Sequence, residues 1–269
     1  MTKASPYNAT LLEREDIHEA LSIFKINLDS GEEPRFEPGQ FTTLGLIDPD
    51  APPPAAHRRR KGPRLIRRAY SIASSPKLKG HLEFYLVHID GGKFTPLLWN
   101  LKPGDPIFMD PKIRGTFTLD GIPDGKDLVM IGTGTGVAPF WSMLKTYRGA
   151  GRWRRLVLLD GCRYVRDLGY YDKLTKIAEE DDTVIYLPTV TREPADSPWA
   201  GLRGRVHDHM EPKQFTKLTG VRLDPQRCHA LLCGSPQMID QASENLHKLG
   251  FVTRDREHPN GNIHFERYW

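Results

Sequence analysis

The sequence has few cysteines and no long apolar run. Its 269 residues include three cysteines, Cys162, Cys228 and Cys233, too few and too scattered for a disulfide framework or for a four-thiolate zinc or iron–sulfur site. No stretch approaches the roughly 18 consecutive apolar residues of a membrane-spanning helix, and the first residues lack the apolar core of a secretory signal. We therefore expect a cytoplasmic protein without a metal site, in which any redox chemistry uses a bound organic cofactor.

Length and composition indicate a globular protein of two domains. Charged residues make up 27% of the chain and hydrophobic residues 38%, which is typical of a folded domain rather than a disordered one. At roughly 100 to 200 residues per domain, the length predicts two domains. The net charge of +4 is compatible with an acidic partner or an anionic ligand but establishes neither.

The first part of the chain has the pattern of an antiparallel barrel. Alternating apolar residues, separated by glycine and proline, predict strands near residues 22–28, 40–46, 68–72 and 81–88. Residues 48–67 contain a triple proline and four consecutive basic side chains. We expect this insert to be an exposed loop, because a barrel strand tolerates neither feature.

The pattern changes near residue 120, after which apolar strands alternate with amphipathic helices. Strands are predicted near 127–131, 155–159, 183–187 and 229–233, and helices near 137–148, 168–180 and 236–248. This order is typical of a parallel α/β sheet that binds nucleotides. The predicted architecture is therefore an antiparallel β-barrel over residues 1–120, followed by a parallel α/β domain over residues 121–269.

Two short motifs suggest cofactor chemistry. Residues 132–136 (GTGTG) lie between a predicted strand and a predicted helix, where small residues and helix N–H groups can receive a pyrophosphate. The motif is not a GxGxxG fingerprint, and a tight strand-to-helix connection would look similar. The second motif, residues 68–74 (RAYSIAS), would by itself fit an ordinary strand with one solvated arginine.

Together these motifs resemble the ferredoxin–NADP reductase superfamily, whose flavin signature is Arg-x-Tyr-Ser/Thr-x-x-Ser. Further matching segments occur in the order seen in bacterial-type ferredoxin(flavodoxin)–NADP reductases and cover nearly the whole chain. They are residues 84–87 (FYLV), 92–95 (GKFT), 101–105 (LKPGD), 132–139 (GTGTGVAP), 233–238 (CGSPQM) and 266–269 (ERYW).

The resemblance implies an FAD site in the barrel. It places Arg68 at the pyrophosphate, Tyr70 against the isoalloxazine ring and Ser71 near flavin N5. It also implies that Trp269 stacks on the adenine. The remaining residues expected to contact FAD are Ile72, Ser74, Gly92, Lys93, Phe94, Thr95 and Thr116.

The resemblance also implies an NADP(H) site in the second domain. The pyrophosphate is expected at Thr133, Gly134, Thr135 and Gly136, and the 2′-phosphate at Arg163, Arg192 and Arg205. Cys233 and Gly234 are expected near the nicotinamide. Asp160 instead favours NAD(H), because an acid after the second strand can accept a hydrogen bond from an unphosphorylated ribose. The expected catalytic residues are Tyr70, Ser71, Cys233 and Glu266.

The function implied by the resemblance is electron transfer between NADP(H) and ferredoxin or flavodoxin, by hydride transfer to flavin N5 and single-electron release. We expect a monomer that binds neither nucleic acid nor membrane. Two alternatives stay open: an NAD(P)H-dependent flavin or oxygenase-component reductase, and an electron-transfer subunit that is inactive outside its complex. The basic run Arg58, Arg59, Arg60 and Lys61 is either a solvated loop or a surface that attracts acidic carriers.

Overall fold

The computed structural model describes residues 5–51 and 63–268. Its internal contacts divide the chain into two compact units, of which the first ends at Thr116 and the second begins at Phe117. Each unit has its own six-stranded sheet. Within the described ranges, no helix is long and apolar enough to cross a bilayer.

The first unit is an antiparallel β structure, as predicted. Its strands follow the order β4-β3-β6-β1-β2-β5, and each pairs antiparallel with its neighbours. A hydrogen bond of 2.8 Å from the N–H of Ala73 to the carbonyl of Glu83 joins the end of β4 to β5, so the two edge strands meet. The elements are β1 Ala9–His18, β2 Leu21–Leu28, β3 Phe41–Ile47, β4 Leu65–Ser71, β5 Leu82–Val87, the short helix α1 Thr95–Trp99, and β6 Pro106–Met109.

Strand β1 is the longest strand of this unit, and the sequence pattern did not predict it. Its outer positions carry charge, with Lys25 of β2 pairing Glu13 of β1 at 2.9 Å. The register between β1 and β2 also shifts twice, between Leu11 and Glu13 and between Asp16 and His18. Each shift resets the alternation of inward and outward residues, which hides the period of two in the sequence.

The prediction that residues 48–67 form a loop is wrong at its end. Leu65, Ile66 and Arg67 belong to β4, where they pair with Ile47, Leu46 and Gly45 of β3. The charged side chain of Arg67 is accommodated because it lies outside the barrel, with its guanidinium carbon 4.3 Å from the centroid of the Phe108 ring. Such stacking lets a basic residue occupy a strand without burying its charge.

The second unit confirms the predicted parallel α/β fold. Its strands follow the order β10-β9-β8-β7-β11-β12 and are parallel throughout. Strand β11 is buried along its full length, as expected for a sheet covered on both faces. The elements are β7 Asp127–Thr133, α2 Ala138–Tyr147, β8 Arg155–Cys162, α3 Tyr171–Glu180, β9 Val184–Val190, β10 Leu202–Arg203, α4 Pro212–Thr219, β11 Cys228–Gly234, α5 Pro236–Lys248 and β12 Ile263–Arg267.

Candidate active site

In the first unit, the structure brings together two segments expected at FAD. Tyr70 lies at the end of β4 and Phe94 immediately precedes α1, and their ring centroids are 5.9 Å apart. Burial raises the pKa of the Tyr70 phenol, while the charge of Arg68 acts in the opposite direction. The phenol therefore stays protonated, and Tyr70 offers a neutral aromatic surface.

The flavin motif changes from exposed to buried along its length. Arg68 is exposed, and its Nη1 donates to the carbonyl of Arg67 at 2.8 Å. Ser71 ends the strand with 6% exposure, and Ile72 and Ser74 are fully buried. The Ser74 hydroxyl accepts from the N–H of Glu83 at 3.1 Å.

A residue that the sequence did not single out connects another predicted FAD segment to this motif. The carbonyl of Gln40 accepts from the N–H of Ile72 at 3.0 Å, and its side-chain amide donates to the carbonyl of Gly115 at 3.0 Å. Thr116, the next residue, is exposed. Gln40 thus ties the segment before Thr116 to the end of β4, and only its position before β3 could have indicated this role.

The segment from Gly92 to Thr95 forms a tight turn before α1. The N–H of Gly92 donates to the carbonyl of Ile89 at 3.0 Å, and the Thr95 hydroxyl accepts from the N–H of Ile89 at 3.0 Å. Phe94 is buried in the barrel core, whereas Lys93 is exposed. The turn therefore holds the backbone of exposed Lys93 next to Phe94, whose ring packs against Tyr70.

In the second unit, the glycine-rich turn packs directly against the turn that follows β11. A Cβ at Gly136 would lie 2.7 Å from the carbonyl carbon of Cys233 and 2.8 Å from the Cα of Gly234. The Thr133 hydroxyl accepts from the N–H of Ser235 at 3.2 Å, and Ser235 in turn caps α5 through the N–H of Met238. Two segments predicted to bind the pyridine nucleotide are thereby held at backbone contact distance.

Cys233 and Glu266 are neighbours in the sheet. They are register partners in the parallel pair β11 and β12, so Glu266 lies in a strand rather than in a solvated tail. Cys233 is fully buried. Burial raises the pKa of its thiol well above the usual range; the Glu266 charge adds to this, and a hydrogen bond with the Tyr268 side chain opposes it. Cys233 is therefore a protonated thiol and not a nucleophile.

The three arginines predicted for the 2′-phosphate lie after successive strands. Arg163 follows β8, Arg192 follows β9 and Arg205 follows β10, and all three are exposed. The N–H of Arg192 donates to the carbonyl of Arg163 at 2.8 Å. Because the carboxyl ends of parallel strands share one edge of the sheet, this edge carries the glycine-rich turn and all three arginines.

Asp160 is not presented to a ligand in the way its position in the sequence suggested. The residue is 1% exposed, and one carboxyl oxygen accepts from the Tyr186 hydroxyl at 2.9 Å. Burial raises the pKa of Asp160 to about 7, and the hydrogen bond from Tyr186 acts against this rise. An acid held inside the sheet cannot reach a ribose hydroxyl at the surface.

Two of the predictions concern residues outside the described ranges. Trp269 and the basic run from Arg58 to Lys61 lie beyond them. Their expected roles at the adenine and in attracting a carrier rest on the sequence.

Comparison with known proteins gives consistent matches over both units. The family model described as "Oxidoreductase FAD-binding domain" matches residues 8–115, and the one described as "Oxidoreductase NAD-binding domain" matches residues 130–244. The chain is 33% identical to the ferredoxin–NADP reductase of Pseudomonas aeruginosa, over 97% of this chain and 96% of that one. It is 32% identical to the flavodoxin/ferredoxin–NADP reductase of Buchnera aphidicola, over 92% and 93%.

A solved structure gives the same result. The ferredoxin NADP+ reductase of Neisseria gonorrhoeae, crystallised with bound FAD and NADP, superimposes with a TM-score of 0.83 at 26% identity. The alignment covers 98% of this chain and all of that one.

Proposed function

Because the chain belongs to the ferredoxin–NADP reductase family, we propose that it is an FAD-dependent enzyme that transfers electrons between NADP(H) and ferredoxin or flavodoxin. The barrel of the first unit holds FAD, and the α/β domain of the second unit binds NADP(H). The proposal depends mainly on one observation: at the carboxyl ends of neighbouring parallel strands in the second sheet, the chain carries a glycine-rich turn and three exposed arginines.

The residues of the first unit fit FAD. A flavin dinucleotide needs an aromatic surface for its ring and cationic donors for its pyrophosphate. Tyr70 supplies the aromatic surface, with the buried Phe94 ring packed against it, while Arg68 and Lys93 are exposed cations on the segments that carry these rings. When bound, FAD supplies the chemistry that connects a two-electron donor with a one-electron carrier.

The residues of the second unit fit NADP(H) rather than NAD(H). Two or more arginines that can surround one phosphate dianion favour the phosphorylated nucleotide. Arg192 and Arg205 are exposed, so their charges can meet a ligand, whereas Arg163 is partly compensated by the Asp167 carboxylate 3.9 Å from its Nε. The burial of Asp160 removes the feature that would have favoured an unphosphorylated ribose.

The chain's own residues bind, orient and exclude water rather than form covalent bonds. The neutral Tyr70 ring would cover one face of a bound flavin, and the nearly buried Ser71 hydroxyl could donate or accept a hydrogen bond beside it. In the second unit, the fully buried thiol of Cys233 stays protonated and adds no charge beside Glu266. The Glu266 carboxylate beside it favours a positively charged pyridinium ring over a neutral one.

The charges before the flavin motif support an acidic protein as the electron carrier. Arg64, Arg67 and Arg68 are exposed, and among them Arg64 is partly compensated by Asp48 at 3.5 Å. The four basic residues at positions 58–61 add to this charge. A positive surface raises the encounter rate with an acidic carrier, and the effect weakens with salt.

The deciding experiment compares NADPH with NADH as donor, and ferredoxin and flavodoxin with free flavin as acceptor. Because each charge-assisted hydrogen bond contributes about 1.5 to 3 kcal/mol, the KM for NADPH should be at least about tenfold below that for NADH. A protein that stays colourless after reconstitution with FAD would contradict the proposal. Faster turnover with free flavin than with either carrier would favour a flavin reductase.

A further inference from the structure

Glu193 occupies an unexpected place among the arginines of the second unit. It directly follows Arg192, on the segment that leaves β9. A carboxylate next to a site for a phosphate dianion weakens binding through like-charge repulsion. Its presence there needs a compensating role, and its hydrogen bonds supply one.

The side chain and the main chain of Glu193 hold two different segments. Its carboxyl Oε2 accepts from the N–H of Val165 at 2.9 Å, two residues after Arg163. Its carbonyl accepts from Nη1 of Arg203 at 2.7 Å, two residues before Arg205. One residue therefore contacts the segment that follows β8 and the end of β10, while its own segment carries Arg192.

Further hydrogen bonds show that these contacts belong to a continuous network. Arg203 also donates through Nη2 to the Ser197 hydroxyl at 3.1 Å, which anchors the loop after Glu193. At the other end, the carboxylate of Asp167 accepts from the N–H of Tyr164 at 3.2 Å. The turn after Arg163 thus has two neighbouring N–H groups satisfied by acids, one from within the turn and one from Glu193.

We propose that Glu193 is a positioning residue for the 2′-phosphate of NADP(H), which fixes the segments of Arg163, Arg192 and Arg205 at one spacing. Binding a phosphate with three long side chains requires their backbones to be held in place before the ligand arrives, because ordering them on binding costs affinity. Glu193 thereby contributes more through preorganisation than its charge costs through repulsion. The inference rests on the proposed preference for NADP(H).

The test compares Glu193→Gln with Glu193→Ala in the full-length protein. The glutamine keeps an oxygen that can accept from Val165 but removes the charge, whereas the alanine removes both. Calorimetric titration with adenosine 2′,5′-bisphosphate and with 5′-AMP measures the phosphate contribution without turnover. We expect Glu193→Ala to weaken the bisphosphate by roughly three- to tenfold, as for the loss of one hydrogen bond. Glu193→Gln should bind it at least as tightly as the wild type, and 5′-AMP should change by less than about twofold.

Arg203→Lys provides an independent variant. Lysine keeps the positive charge but cannot reach the Glu193 carbonyl and the Ser197 hydroxyl with one planar fork. It should also weaken the bisphosphate selectively. In steady-state kinetics, the effect of both weakened variants should appear in the KM for NADPH rather than in kcat.

Three outcomes would overturn the inference. Tighter bisphosphate binding by Glu193→Ala would mean that the carboxylate only repels the phosphate. Equal weakening of both nucleotides would indicate a general structural role. If Arg203→Lys bound the bisphosphate with wild-type affinity, the hydrogen bond between Arg203 of β10 and Glu193 would have no part in phosphate binding. A wild-type protein that binds the two nucleotides equally would instead contradict the proposed function.

Discussion

The contact between the glycine-rich turn and the turn after β11 predicts the effect of one methyl group. In Gly136→Ala, the new Cβ would lie 2.7 Å from the carbonyl carbon of Cys233 and 2.8 Å from the Cα of Gly234, where ordinary contacts begin at 3.4 Å. The atoms it meets belong to the backbone, so no rotamer change relieves the overlap. The φ angle of Gly136 is not positive, so the effect is steric.

The magnitude follows from the displacement that the methyl group requires. The two turns must separate by roughly 0.6 to 1 Å, which as overpacking costs about 1 to 3 kcal/mol. For a unit of this size, that lowers the Tm by roughly 3 to 10 °C. A displacement of about 1 Å in a binding site can reduce the rate by about 100-fold. We therefore expect a large loss in kcat/KM for NADPH, with FAD content unchanged because FAD is bound by the first unit.

The matched control is Gly132→Ala, which makes the same chemical change at the start of the same turn. Its Cβ would meet the Phe140 ring at 3.3 Å, a contact that a shift of a few tenths of an ångström relieves. NADPH kinetics, flavin absorbance per polypeptide and thermal melting should be measured for both variants. The reasoning is refuted if Gly136→Ala has the NADPH kinetics and Tm of the wild type, or if the two variants are equally impaired.

Three further predictions concern other parts of the molecule. Deleting residues 268–269 should lower the flavin content after gel filtration, because the resemblance implies that this end covers FAD; unchanged content contradicts it. Neutralising residues 58–61 should slow reduction of ferredoxin at low salt but not of a small uncharged acceptor, and equal slowing would exclude steering. His229 and His264 share a buried hydrogen bond of 3.0 Å. Burial lowers their pKa values to about 4 and about 3, so between pH 7.5 and 5.5 each histidine should lower the free energy of unfolding by about 1.4 kcal/mol. The raised pKa of Asp160, about 7, acts in the opposite direction and should add about 2 kcal/mol over the same interval. Urea titrations of Asp160→Asn at pH 7.5 and 5.5 isolate the histidines; adding His258→Gln, at an exposed histidine, should keep the fall, and a pH-independent Asp160→Asn would refute it.

The parallel sheet was predictable because strands that are buried on both faces appear in the sequence as continuous apolar runs. Residues 127–131, 155–159 and 229–233 are apolar runs that a solvent-exposed strand would not contain, and each lies inside an observed strand. Strand β12 escaped prediction although it is parallel too. It is an edge strand with exposed Phe265 and Arg267, so its pattern resembles a polar tail.

The same limit applies to the barrel. Strands β2, β3 and β5 consist mostly of buried residues and were predicted. Strand β1 was not, because its charged outer face and two register shifts disturb the period. The start of β4 was assigned to a loop because it follows a triple proline and a run of basic residues, which a barrel strand does not tolerate. The stacking of Arg67 on Phe108 is a tertiary contact between residues far apart in the sequence, and no local pattern contains it.

The site residues fall into two groups: those whose residue type the ligand requires, and those whose role depends on where the fold places them. A glycine-rich turn, a flavin motif and three arginines can be found in the sequence because the ligand requires those residue types. For Asp160 the sequence was misleading, since its position after a strand suggested a ribose contact and only its burial reveals otherwise. For Glu193 the opposite holds, because the sequence did not indicate a role that the structure suggests. Its sequence context gives no sign of function, because the hydrogen bonds that it accepts from Val165 and Arg203 exist only once three strands have been placed side by side. The residues that hold a binding site in shape are therefore less visible in a sequence than those that touch the ligand, and a preference for one nucleotide over another can depend on both.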